Sequence, residues 1–122
     1  MEYLLSNLGI NQDKNELPKI REGEASRLLE QFPDRVPVLI SHVGKDITID
    51  KRKYLVPKNL ELGQFLHILR RRSTLRPTDA IFLFISSKNL LVPMNKEMGS
   101  LHAQLSEEGF LNISLQKENT FG

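Results

Sequence analysis

Apolar residues along this chain follow two spacings, and the switches between them mark out its elements. Ala25, Leu28, Leu29 and Phe32 fall at i, i+3, i+4 and i+7, which predicts a helix with one apolar face, ended by Pro33. Val36–Val43 predicts a strand, and Gly44-Lys45-Asp46 supplies a turn into a second strand zone from Ile47 to Val56. Helical spacing returns with Leu62, Phe65, Leu66 and Leu69 and runs to about Ser73. Ile81-Phe82-Leu83-Phe84-Ile85 is apolar at every position, which predicts a central strand covered on both faces. Leu90–Val92 predicts a short strand and Met98–Leu105 a short helix. Leu111, Ile113 and Leu115 alternate with Asn112 and Ser114, as in a half-buried strand. Polar Asn11–Glu16 sets off Met1–Ile10 as a separate short helical element, and the polar run after Leu115 predicts a mobile tail over residues 116–122.

The resulting order is α, β, β, α, β, short β, short α, β. An α+β class follows, with a hairpin, a helix across it and further strands. A length of 122 residues suits one domain with one core, expected to bury roughly two-thirds of its unfolded surface. With no cysteine, disulfides, thiolate metal sites and cysteine nucleophiles are excluded. The longest apolar run, Ala80–Ile85, is far short of the ~20 residues that span a bilayer, and Met1–Ile10 lacks the basic start of a secretory signal. These features predict a cytoplasmic location.

Charge changes the picture more. Lys51–Arg76 holds eight basic residues against Glu61 alone, a local +7 in a chain of net +2, so the remainder carries −5. Such asymmetry predicts a basic face that meets something acidic. Within it, Lys53-Tyr54-Leu55-Val56 is short, flanked by lysines and stopped by Pro57, as expected of a sheet edge guarded against indiscriminate pairing. A basic, apolar, open edge suits capture of an extended acidic peptide. It does not suit catalysis. No glycine-rich phosphate loop, nucleophile elbow or HExxH pattern occurs, and His42, His67 and His102 lack ligand spacing, so they are read as surface or structural. The chain is read as a non-enzyme, with no cofactor and no metal.

Three motifs identify a family: Phe32-Pro33-Asp34-Arg35-Val36-Pro37-Val38, Asp50-Lys51-Arg52-Lys53-Tyr54-Leu55-Val56-Pro57, and Gly63-Gln64-Phe65 leading to Ile68-Leu69-Arg70-Arg71-Arg72. With Glu108-Gly109-Phe110-Leu111 and Phe121-Gly122, the chain from about Glu22 onward resembles the autophagy ubiquitin-like modifiers, the GABA-receptor-associated-protein and microtubule light-chain type. The resemblance implies a ubiquitin-like β-grasp over residues 22–115, an additional, divergent N-terminal helical segment over 1–21, and a flexible tail ending in Gly122.

It also implies a function. Such proteins are exposed at a C-terminal glycine by a cysteine protease, passed from an E1-like to an E2-like enzyme, and joined to phosphatidylethanolamine on the autophagosomal membrane. They recruit cargo receptors carrying a Trp/Phe/Tyr-x-x-Leu/Ile/Val motif. By motif matching, Gly122 is the lipid-conjugated residue. An aromatic pocket is expected from Glu24, Leu28, Pro37, Leu39, Lys53, Leu55 and Phe110, and an aliphatic pocket from Tyr54, Val56, Pro57, Leu60, Phe65 and Ile68. Lys53–Val56 is the edge expected to pair with the peptide, while Arg35, Lys51, Lys53 and Arg72 meet its acidic flanks. Because residues two apart on a strand share a face, Lys53 and Leu55 point one way and Tyr54 and Val56 the other.

Residue chemistry leaves alternatives open at several positions. Phe65 shares the helical stripe and so reads as core, and Arg70 and Arg71 read equally well as a solvated helix face. Residues 1–20 match the family poorly, so its tubulin-contacting or membrane-tethering roles do not carry over, and Asn112 stands where many relatives have an aromatic. Two other functions compete: an unconjugated β-grasp adaptor, and a binder of tubulin or nucleic acid through the basic stretch. The scarcity of stacking aromatics beside the arginines argues against nucleic acid.

Overall fold

In the computed structural model, residues 19–118 are described. Helix α1 spans Glu24–Gln31, strand β1 Arg35–Val43, β2 Lys53–Pro57, α2 Leu62–Arg71, β3 Ile81–Ile85, α3 Met98–Leu105 and β4 Leu111–Lys117. The strands form one mixed sheet in the order β2-β1-β4-β3. β1 runs antiparallel to β2 and parallel to β4, and β3 closes antiparallel on β4. This is the expected β-grasp arrangement. The expected element over Met1–Ile10 lies outside the described residues, as does the end of the tail from Asn119 to Gly122.

Strand alternation divides the apolar side chains between two clusters. Val36, Val38 and Ile40 of β1, Tyr54 and Val56 of β2, and Leu111, Ile113 and Leu115 of β4 face one way, onto Leu62, Phe65 and Leu69 of α2 and Met98 and Leu101 of α3. Leu39 of β1 and Leu55 of β2 face the other way and pack with Phe110 under Ala25 and Leu28 of α1. Helix α2 starts on a reciprocal cap: Glu61 and Gln64 satisfy each other's backbone N–H groups, with Glu61 N–H 2.9 Å from Gln64 Oε1.

Four expectations are corrected. The strand zone over Ile47–Val56 is regular only from Lys53. Ile47 and Ile49 turn into the main core instead, and Ile49 bridges Ser73 just past α2. Ile81–Ile85 is an edge strand, not a central one: Leu83 and Ile85 are buried, but Phe82 is 39% exposed. Its outer aromatics lean on each other, Phe82 and Phe84 with ring centroids 5.8 Å apart. A five-residue apolar run cannot distinguish two covered faces from one covered face and a self-paired aromatic one. Leu90–Val92 contributes a single bridge, Leu90 to Ile85, rather than a strand. β4 continues two residues past Leu115, and Glu118 N–H donates to Ala80 O at 2.7 Å.

Candidate functional site

β2 lies at the sheet edge, and its register decides which backbone groups face outward. Ile40 N–H donates to Arg52 O at 2.7 Å, and Lys58 N–H donates to Asp34 O at 3.1 Å. Bonded and non-bonded positions alternate along an antiparallel pair, so Arg52, Tyr54, Val56 and Lys58 direct their N–H and C=O groups at β1. Those of Lys53 and Leu55 therefore point away from the sheet. Among the described residues, no backbone group bonds to them. On the other side of the ladder Pro37 sits opposite Leu55, just before β4 pairing begins at Val38, so its missing N–H costs no sheet bond.

The residues expected to form the aromatic pocket come together. Leu28, Leu39, Leu55 and Phe110 make, with Ala25, a cluster separate from the main core, each 6% exposed or less. Pro37 is buried beside them in β1. Glu24 and Lys53 join it as an ion pair, Lys53 Nζ lying 3.1 and 3.0 Å from the two carboxylate oxygens. The ammonium also stands 5.8 Å from the centre of the Phe110 ring, within reach of its negative face. Gly109 permits this packing: its φ is +82°, and a Cβ there would stand 2.3 Å from that of Ala25. Two contributors escaped the sequence reading. Ala25 was signalled by its place in the Leu28 stripe, whereas Ile20, which packs on the cluster from the segment before α1, carried no periodic signal.

The six residues expected in the aliphatic pocket fall into two layers. Tyr54, Val56 and Phe65 have no exposed surface and belong to the main core, Tyr54 and Phe65 meeting edge to face at 5.3 Å. Their side chains back the site rather than line it, because one strand face and one helix stripe both turn inward there. Pro57, Leu60 and Ile68 lie nearer the surface. Leu60 and Ile68 open on a groove of about 650 Å³ shared with Gln64, His67, Arg71 and Met94.

The basic stretch does not present one continuous face. Arg52 and Lys53 are buried, and burial alone lowers the Arg52 pKa from its usual range. Arg70 donates to the carbonyls of Arg76 and Asp79 at 2.8 and 2.9 Å, Arg72 pairs with Asp50 at 2.9 Å, and Arg76 with Asp79 at 3.2 Å. Lys51 is half-buried, and Lys58 and Arg71 are exposed. Arg35 stands opposite Pro57 at the far end of the ladder. Of the histidines, His102 Nε2 lies 2.7 Å from Gly109 O and ties α3 to the turn before β4. Among the described residues no group of acidic and histidine side chains could hold a metal ion, and no helix is long and apolar enough to cross a membrane. Gly122 lies outside the described residues.

Comparison with known proteins agrees with the fold. The family model described as autophagy protein Atg8, ubiquitin like, matches residues 20–122. The chain is 42% identical over 119 residues to autophagy-related protein 8d of Arabidopsis thaliana, covering 94% of this chain and 98% of that protein. It is 46% identical over 105 residues to autophagy-related protein 8 of Schizosaccharomyces pombe, covering 84% and 85%. The crystal structure of Trypanosoma brucei ATG8 superposes with a TM-score of 0.73 at 28% identity, over 92% of this chain and 100% of that one.

Proposed function

The chain belongs to the Atg8 family of ubiquitin-like autophagy proteins, and from that membership we propose that it is a modifier joined through Gly122 to phosphatidylethanolamine, which recruits cargo receptors at β2. The observation that carries the recruiting role is the outward backbone of Lys53 and Leu55, set beside the Leu28–Leu39–Phe110 cluster. An extended peptide adds to such an edge as a further strand, and side-chain pockets select its anchors. An aromatic anchor takes the α1 side and an aliphatic one takes Leu60 and Ile68. Two buried anchors and a few strand bonds suit an affinity near micromolar, about −8 kcal/mol.

Conjugation supplies the membrane attachment. A single acyl chain anchors only marginally, whereas phosphatidylethanolamine brings two. Gly122, without a Cβ, suits the narrow tunnel of a processing cysteine protease and leaves its acyl carbon open to E1-like and E2-like partners. The protein then passes from cytoplasm to autophagosomal membrane. A tubulin- or polyanion-binding role has less support, since most of the basic stretch is spent on internal partners.

The test is conjugation in vitro with E1-like and E2-like enzymes and phosphatidylethanolamine liposomes. Wild type is expected to form the lipid-linked product and Gly122→Ala is not. Equal conjugation of the two removes the modifier reading.

A further inference from the structure

The segment before α1 lies on the aromatic pocket. Ile20 packs against the cluster of Ala25, Leu28, Leu39, Leu55 and Phe110, and the carbonyl of Lys19 accepts a hydrogen bond from Lys53 Nζ. Glu24 fastens the segment from the helix side: its carboxylate accepts from Arg21 N–H at 2.9 Å, while its own N–H donates to Arg21 O at 3.0 Å. Between the segment and the helix stands Gly23 at φ +73°, a backbone state that only glycine adopts readily, so the joint is built to turn.

Two consequences meet at Lys53. An ammonium has three protons, and here the three acceptors are Lys19 O and both oxygens of Glu24. No donor is left for a ligand's acidic group until one of these lets go. An aromatic side chain brings roughly 150–250 Å² to bury, yet the cluster that should receive it is 6% exposed or less. Of the surrounding elements, the Lys19–Ile20 segment is the part outside regular structure, joined through a glycine, and so the part able to move.

We propose that Lys19 and Ile20 form an internal strap over the aromatic pocket, and that an aromatic-x-x-aliphatic peptide binds by displacing it and taking over Lys53. The inference rests on the peptide-site reading above and deepens it. The strap multiplies the affinity of every ligand by the fraction of time the pocket is open, so a peptide with a weak aromatic anchor is the first to fall below a useful affinity.

The chain contains no tryptophan, so Ile20→Trp places a single reporter on the strap. Its emission is expected to be blue-shifted and shielded from acrylamide in the full chain. It should move to the water-exposed range on adding a short acidic peptide with a Phe-x-x-Leu core and no tryptophan. Ile20→Asp, at a partly buried site outside helix and strand, is expected to bind that peptide about five-fold more tightly by calorimetry and to lower the stability of the unliganded chain by the same factor, about 1 kcal/mol, leaving it folded. A water-exposed reporter in the unliganded chain overturns the proposal. So does a reporter that stays shielded while calorimetry shows binding, or an Ile20→Asp affinity equal to or below wild type. If the reporter is shielded but neither wild type nor Ile20→Asp binds the peptide, the peptide-site reading has failed. The gating role goes with it, though the strap's position stands as measured.

Discussion

Lys53 Nζ stands 3.0 Å from a Glu24 carboxylate oxygen across 29 residues of sequence, with the two side chains only 3% and 6% exposed. Removing one member of such a pair strands the other charge out of water, which costs more than the pair itself contributes. Glu24→Gln is therefore expected to destabilise the fold by about 3 kcal/mol, and the apolar double variant Glu24→Leu with Lys53→Met to recover most of that. Urea unfolding of the three proteins measures it. A loss below about 0.5 kcal/mol for Glu24→Gln means that the pair behaves as a solvated one.

The β1–β2 register predicts an alternating exchange pattern. Amide protons of Tyr54 and Val56 bond to β1 and should exchange slowly, while those of Lys53 and Leu55 face outward and should exchange fast. Peptide binding should slow Lys53 and Leu55 and leave their neighbours unchanged. Hydrogen exchange followed by NMR reads each amide separately, and slow exchange at Leu55 before any peptide is added would show the edge already occupied.

Gly109→Ala tests how α1 is held. The added methyl meets Ala25 Cβ at 2.3 Å and the backbone stays at φ +82°, so steric clash and strain act together. A loss of about 2–4 kcal/mol is expected, read as a lowered melting temperature. Relief by Ala25→Gly in the same chain would locate the clash.

Acid should weaken one surface network. The Ser87 hydroxyl foremost, then the Asn112 amide at 2.8 Å, hold the Glu107 carboxyl below the usual carboxylate range. A depressed folded pKa contributes stability that is complete above the unfolded value of about 4.3 and is lost as pH falls through the folded value. Glu107→Gln should thus be less stable than wild type at neutral pH, with the gap closing below about pH 4. Urea midpoints at neutral and acid pH decide it, and a gap independent of pH would show that the charge contributes nothing.

Asn112 shows how far a sequence departure can be followed. The sequence marked it as a polar residue where relatives carry an aromatic. Only the fold supplies its partner, Glu107, and leaves its buried Oδ1 without one among the described residues. Glu107 in turn accepts from Ser87 N–H, 20 residues away, a contact that no local pattern signals. Likewise the +7 count was correct as arithmetic, but the basic face expected from it is not continuous, because Asp50 and Asp79, which engage Arg72 and Arg76, become their partners only after folding.

Periodicity alone determined the three helices, the strand at β1, the core of β2, the split of β2 side chains between two faces and the buried face of β4, since side-chain direction in a helix or strand follows from local backbone geometry. Family motifs in the chain then pointed to β2 as the candidate edge. Tertiary structure alone decided that β3 closes the sheet instead of crossing its middle, that Tyr54 and Val56 take the core face beside Phe65, which its helical stripe had already marked as core, and that Ile20 packs on the α1 cluster. Each of these is a contact between segments distant along the chain, and its free energy depends on what solvent is excluded once they meet.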